Sequence, residues 1–116
     1  MPTKEELKQQ MDSDLKVIAA LRASGSNLAK PHRIEHHFNA DTRQDADAIV
    51  KWGLDNGFEA SEIMSGRQHG KVYYYFDLIK DTVPEIRRIL PDTSRLFDLA
   101  HEHDAVYDGW GCYIVK

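Results

Sequence analysis

The chain has 116 residues, of which 41% are hydrophobic and 29% charged, proportions that indicate a folded globular protein rather than a disordered one. Its single cysteine, Cys112, excludes an intramolecular disulfide, and the absence of a signal peptide or a long apolar run predicts a cytoplasmic protein that does not span a membrane. A net charge of −4 argues against direct nucleic-acid binding, which usually requires a basic patch.

The first predicted element is an amphipathic helix over Glu5–Ala23, where apolar residues recur at helical spacing. Thr3 and Glu6 have the spacing of a capping box at its start. Gly25, in a short polar run, predicts the end of the helix and a loop.

A strand is predicted next, followed by a second helix. Residues His32–Ala40 alternate, with Ile34, His36 and Phe38 on one face and Arg33, Glu35, His37 and Asn39 on the other. The second helix is predicted to begin after Asp41-Thr42 and to run to about Asn56, with Gly57 just past its end.

The second half of the chain predicts a hairpin, helical segments and a last strand. Phe58–Ser65 and Lys71–Ile79 are predicted to pair through a longer loop over 66–70. A short helical piece over Pro84–Leu90 is expected to stop at Pro91, before a helix capped by Asp92 or Thr93. The predicted last strand covers Val106–Val115, with a bulge at Gly109 and Gly111.

The resulting order after the first helix is βαββαβ, which predicts an α+β, ferredoxin-like sandwich. In this fold two helices cover one face of a four-stranded antiparallel sheet. We expect one structural domain overall, with an N-terminal amphipathic helix and loop at 1–30 and the ferredoxin-like part at 31–116. The other sheet face is left open or is partly covered by the first helix.

Six histidines suggest a metal site, but their spacing argues against one. His36 and His37 point to opposite sides of a strand, and His101 and His103 do not share a helix face. We therefore predict no metal. The sequence also has no phosphate-binding glycine loop, dinucleotide-binding motif or Ser-His-Asp order, so we predict no cofactor and no catalytic residue. His36 is expected to be a core histidine, whereas His37 and Glu35 on the other face either contact solvent or a partner or, less favoured, form an acid–base pair.

Tyr73 and Tyr75 are predicted to lie on the face of Glu35 and His37, together with Asp77. An RNA-recognition domain stacks bases on aromatic residues at similar positions, although the nearby carboxylates would repel phosphate. Alternatively, the tyrosines pack against the first helix. The stretch Asp92–Asp108 holds five acidic residues against one arginine, which favours a basic protein partner.

Two segments resemble a known family. They are Ile34-Glu35-His36-His37-Phe38-x-Ala40-Asp41 and Tyr107-Asp108-Gly109-Trp110-Gly111-x-Tyr113. Together they are similar to the regulator of ribonuclease E activity B (RraB) family. The resemblance implies a ferredoxin-like fold preceded by a helix, and a non-catalytic inhibitor that binds ribonuclease E or a related RNA-decay partner and modulates RNA processing. Well-known relatives continue into an acidic tail, whereas this sequence ends at Lys116, which predicts weaker binding or a different partner.

The candidate partner surface combines the predicted open face with acidic residues near the end of the chain. It comprises Glu35, His37, Tyr73, Tyr75, Asp77 and Tyr107, with Asp98, Glu102 and Asp104 as an acidic flank. Four further motif residues either belong to that surface or have a structural role: His36, Asp108, Gly109 and Trp110. In the structural role, the glycine forms a bulge, the tryptophan fills the core, and the aspartate accepts hydrogen bonds from His36 or from backbone amides. The alternative function is a nucleic-acid-binding module that uses the same face.

Overall fold

A computed structural model describes residues 3–116, which form three helices and five strand segments. The helices are α1 (Lys4–Ala23), α2 (Arg43–Asp55) and α3 (Ile86–Glu102). The strands are β1 (His32–Ala40), β2 (Glu59–Ala60), β3 (Met64–Gln68), β4 (Lys71–Thr82) and β5 (Val106–Gly111). None of these helices is long and apolar enough to cross a membrane.

The ends of the first two helices are fixed by the predicted capping residues. Thr3 and Glu6 form the full capping box of α1, and the Thr42 side chain accepts a hydrogen bond from the Asp45 amide at the start of α2. Gly25 and Gly57 follow the two helices with φ of +85° and +88°, a conformation that favours glycine. The predicted bounds of both helices are therefore confirmed to within a residue or two.

The strands form one antiparallel sheet in the order β2-β4-β1-β5, and β3 also pairs with β4. β2 and β3 are thus two segments of the same edge strand, interrupted at 61–63. The predicted α+β class is confirmed, and the layout is compatible with the ferredoxin-like order.

Four local predictions were wrong. The strand predicted over Phe58–Ser65 is divided into β2 and β3. The hairpin between β3 and β4 has a two-residue turn, because Gln68 pairs with Lys71 and both His69 and Gly70 have positive φ, the conformation of a type I′ turn. α3 runs without a break through Pro91. The last strand ends at Gly111 rather than at Val115.

All three helices lie on the same side of the sheet. The larger core cluster joins Phe38, Phe76 and Leu78 of the sheet to Ile49 of α2 and Leu96 of α3. A second cluster joins α1 to the same side of the sheet; its buried members are Ile18, Leu21, Ile34, Ile89 and Trp110. We call this side the covered face and the other side the open face.

Candidate partner-binding surface

The open face is formed by the alternate residues of β1 and β4 that point away from the helices. The register places Glu35 opposite Ile79, His37 opposite Asp77 and Asn39 opposite Tyr75. Ile34, Phe38 and Leu78, the neighbours in sequence, are buried on the covered face. Since α1 packs on the covered face, the alternative that the tyrosines pack against the first helix is wrong.

Two tyrosines of β4 give this face its aromatic character. The rings of Tyr73 and Tyr75 lie side by side, with centroids 5.8 Å apart and planes inclined by 35°. Tyr73 lies over Gly66 of β3, where a Cβ atom would be 2.5 Å from the ring carbon Cζ. Tyr75 is 42% exposed and lies opposite Met64, which is 46% exposed. An exposed tyrosine beside an exposed methionine is typical of a surface that contacts a partner.

A histidine–aspartate pair lies next to the tyrosines. His37 Nδ1 is 2.8 Å from Asp77 Oδ1, and the two side chains are 45% and 25% exposed. His37 therefore pairs across the strands with Asp77, not with Glu35 as the acid–base alternative required. Asp77 is also anchored through its backbone, because its amide donates to Ser61 Oγ at 2.8 Å and its carbonyl accepts from the Ser61 amide at 3.0 Å.

The motif residues of β5 are mainly on the covered face. Tyr107 pairs with Phe38 and is 9% exposed, and its hydroxyl lies 2.8 Å from Nδ1 of His36. Trp110 pairs with His36, so two residues, Asp108 and Gly109, lie between these pairs opposite a single residue of β1. Gly109 has φ of +84°, which confirms the predicted bulge at this glycine, whereas Gly111 pairs regularly with Glu35.

Burial governs the protonation of the two groups in this contact. Burial, and secondarily the charges of His37 and Lys80, lower the pKa of His36 to about 3. Burial also raises the pKa of Tyr107 well above its ordinary value, so the phenol stays protonated. His36 and Tyr107 therefore form a neutral hydrogen bond inside the core. The prediction of a core histidine is confirmed.

The structure separates several residues that the sequence analysis grouped together. Tyr107 belongs to the core and not to the open face. The hydrogen-bond partner of His36 is Tyr107 rather than Asp108, whose side chain is exposed. The acidic flank lies elsewhere: Asp98 and Glu102 are on α3, which packs on the covered face, and Asp104 is in the turn after it. The surface that remains together is Glu35, His37, Tyr73, Tyr75 and Asp77.

Sequence reasoning missed the buried Asp14. It is 0% exposed, and its carboxylate accepts hydrogen bonds from Trp110 Nε1 at 3.0 Å and from Thr93 Oγ1 at 2.6 Å. These bonds join α1 to β5 and α3. An aspartate among the apolar positions of a helix is a weak signal, and these two partners are 79 and 96 residues away.

The described residues of the open face do not form a metal-binding site. Within residues 3–116, no three side chains of histidine, cysteine, aspartate or glutamate are grouped so that they could hold a metal ion. The arrangement is suited to binding through an aromatic and acidic surface.

Comparison with known proteins identifies relatives over nearly the whole chain. The family model described as Regulator of ribonuclease activity B matches residues 11–112. A protein of that name from Photobacterium profundum is 33% identical over 113 residues, covering 94% of this chain and 84% of the relative. Another, from Pseudoalteromonas atlantica, is 31% identical over 118 residues, covering 97% of each. A third, from Alteromonas mediterranea, is 36% identical over 102 residues, covering 83% of this chain and 74% of the relative. The chain belongs to the Regulator of ribonuclease activity B family.

Proposed function

We propose that this protein is a non-catalytic regulator that binds a ribonuclease in the cytoplasm and lowers its activity, and that the partner is ribonuclease E. The family membership and the names of the relatives support a ribonuclease as the partner. The structural observation that carries the proposal is the open face, which presents Tyr75 beside Asp77 with no helix over them.

The open face favours a basic protein segment over RNA. Asp77 lies opposite His37 and next to Tyr75 on this face of β4, and Glu35 lies next to His37 on β1, one pair further from Tyr75. Negative charge at the centre of an aromatic surface attracts lysine and arginine side chains and repels phosphate. Tyrosine supplies a large contact area at low conformational cost, which is why it is frequent among residues that dominate binding.

The test is a titration of the full chain against purified ribonuclease E from the same organism, with binding and RNA cleavage measured in parallel. We expect saturable binding and a slower cleavage rate. Tyr75→Ala should weaken binding by about tenfold, the loss expected for an aromatic anchor. Leu54→Ala is the matched control, because Leu54 is 57% exposed and lies on α2 of the covered side.

Each part of the proposal has its own contradicting result. Absence of saturable binding to the nuclease removes ribonuclease E as the partner. An equal loss with Leu54→Ala removes the open face as the contact surface. Steeply salt-dependent binding of labelled RNA alone, lost in Tyr75→Ala, would instead establish the nucleic-acid-binding alternative.

The acidic flank requires a separate variant because it lies on the other side of the sheet. Glu102 is 52% exposed at its side chain, and its Oε1 lies 3.4 Å from Nη1 of Arg95. If the partner contacts only the open face, the charge reversal Glu102→Lys leaves the affinity unchanged even at low salt. A large loss of affinity would show that the partner also reaches α3.

A further inference from the structure

The interruption between β2 and β3 produces a hollow at the edge of the open face. Residues 61–63 leave the strand ladder, while Ser61 remains attached to Asp77 because its hydroxyl oxygen accepts from the Asp77 amide and its own amide donates to the Asp77 carbonyl. The hollow has a volume of about 310 Å³. Its lining residues are Ser61, Glu62, Met64, Tyr75, Phe76 and Asp77.

The polar wall of this hollow is negative. Asp77 and Glu62 contribute two carboxylates, and the lining contains no basic side chain. Asp77 Oδ1 is occupied by His37 Nδ1, whereas Oδ2 has no hydrogen-bond partner within residues 3–116. The bond to His37 and the attachment to Ser61 hold the carboxylate in place before any partner arrives, which lowers the entropic cost of binding.

The apolar wall is formed by an exposed ring and a flexible side chain. Tyr75 and Met64 face each other across β3 and β4, and both keep more than two fifths of their surface exposed, at 42% and 46%. A cation over the face of a tyrosine ring is attracted by the ring quadrupole. A carboxylate beside such a ring is therefore a combination that selects a cationic, planar group.

We propose that this hollow receives an arginine side chain from a basic segment of the partner, with the guanidinium between the Tyr75 ring and the carboxylates of Asp77 and Glu62. This proposal rests on the proposed function and specifies the chemistry of its partner. Arginine fits better than lysine because its planar group can stack on the ring and form two parallel hydrogen bonds to a carboxylate. The aliphatic part of the side chain would pack on Met64.

The experiment uses the isotopically labelled full chain and three short probe peptides, observed by NMR titration. The peptides are acetyl-Gly-Arg-Gly-amide, its lysine counterpart, and its citrulline counterpart, which keeps the shape of arginine without the charge. We expect the arginine peptide to shift the amide signals of Ser61, Tyr75 and Asp77. The lysine peptide should bind about fivefold more weakly, and the citrulline peptide should give no localised shifts.

Two variants locate the site. Asp77→Asn should abolish the arginine-specific shifts, and Glu62→Gln, at an exposed position that cannot affect folding appreciably, should weaken the arginine peptide by about threefold. Leu54→Ala should bind like the wild type. Equal binding of the arginine and lysine peptides, shifts spread over the whole surface, or unchanged binding in both Asp77→Asn and Glu62→Gln would overturn the proposal.

These probes separate this proposal from the proposed function. Arginine-specific binding at the hollow without binding to ribonuclease E would keep the site and reassign the partner. Binding to ribonuclease E that is unchanged in Asp77→Asn and Glu62→Gln would keep the function and refute the arginine site.

Discussion

Replacement of Asp14 by alanine tests whether hydrogen bonds fasten α1 to the rest of the domain. The carboxylate is fully buried and accepts from Trp110, from Thr93 and, at 2.9 Å, from Gln10 Nε2. Alanine removes both carboxylate oxygens and leaves an indole N–H and a hydroxyl in the core without their acceptor. We therefore expect Asp14→Ala to be among the most destabilising single substitutions in α1.

The magnitude follows from the donors that are left behind. A buried donor without an acceptor costs about 1–3 kcal/mol. Thr93 Oγ1 already lies 3.3 Å from the Leu90 carbonyl oxygen, so its hydroxyl can turn to that acceptor and its contribution is at the low end. For Trp110 Nε1 the described structure shows no second acceptor, so its contribution is larger. We expect a loss of about 3 kcal/mol in the free energy of unfolding, or roughly 10–20 °C in the melting temperature.

Asp14→Asn is the matched control in the same assay, urea and thermal unfolding followed by circular dichroism. The asparagine oxygen can still accept from Trp110, and its amide can donate to the Thr93 hydroxyl while that hydroxyl donates to Leu90. We expect Asp14→Asn to cost about 1 kcal/mol. A loss below about 1 kcal/mol for Asp14→Ala, or equal losses for the two variants, would refute the reasoning.

Three further predictions follow from local geometry. Gly109→Ala should cost about 1–2 kcal/mol of unfolding free energy in urea because φ is +84°, whereas Gly111→Ala, whose added Cβ would meet its nearest atom at 3.8 Å, should cost little. Gly66→Ala should displace the ring of Tyr73, since the added Cβ would lie 2.5 Å from the phenol. This displacement should reduce partner binding without unfolding the protein, which NMR of the tyrosine ring and a binding titration would check. His36, with a folded pKa near 3 against 6.5 in the unfolded chain, stays neutral while the unfolded state takes up a proton. The contribution of His36 to the free energy of unfolding should therefore fall by about 1.4 kcal/mol per pH unit as the pH drops from 6.5 towards 3. In His36→Gln this contribution is absent, so unfolding measured over the same pH range should depend less steeply on pH.

The sequence predicted the helices and strands best where local chemistry decides the conformation. The capping box of Thr3 and Glu6, the Thr42 cap and the alternation in β1 depend only on near neighbours, and all are confirmed. The bulge at Gly109 was also predictable, because glycine within a strand often marks a bulge.

The wrong predictions arise where tertiary packing overrides local preference. Pro91 removes one hydrogen bond from α3, but Ile89, Thr93 and Leu96 on either side are buried and keep the helix continuous. In the hairpin, Gly66 suggested a loop, yet it is a strand residue, since only glycine leaves room for the ring of Tyr73 opposite. Both outcomes depend on residues that are not adjacent in sequence.

The candidate site, too, was predictable from the sequence only in part. The periodicity of β1 and β4 was enough to place Glu35, His37, Tyr73, Tyr75 and Asp77 on one face. It could not show which face α1 covers, because that depends on contacts with distant elements, namely the apolar packing of Ile18 and Leu21 and the hydrogen bonds that Asp14 accepts. Nor could it show the hollow beside Asp77, which exists only because the edge strand is interrupted at 61–63.

The motif residues of β5 and the surface proposed for the partner, on β1 and β4, lie on opposite faces of the same sheet. Tyr107 and Trp110 are buried on the covered face, where they set the register of β5 against β1 on either side of the Gly109 bulge. This pairing holds β1 against β5, while β1 pairs with β4 on its other edge and directs His37 to the open face opposite Asp77. The motif thus acts on binding indirectly, by holding the strand that carries His37. Substitutions of Tyr107 or Trp110 should consequently lower stability and binding together, whereas substitutions of Tyr75 or Asp77 should lower binding alone.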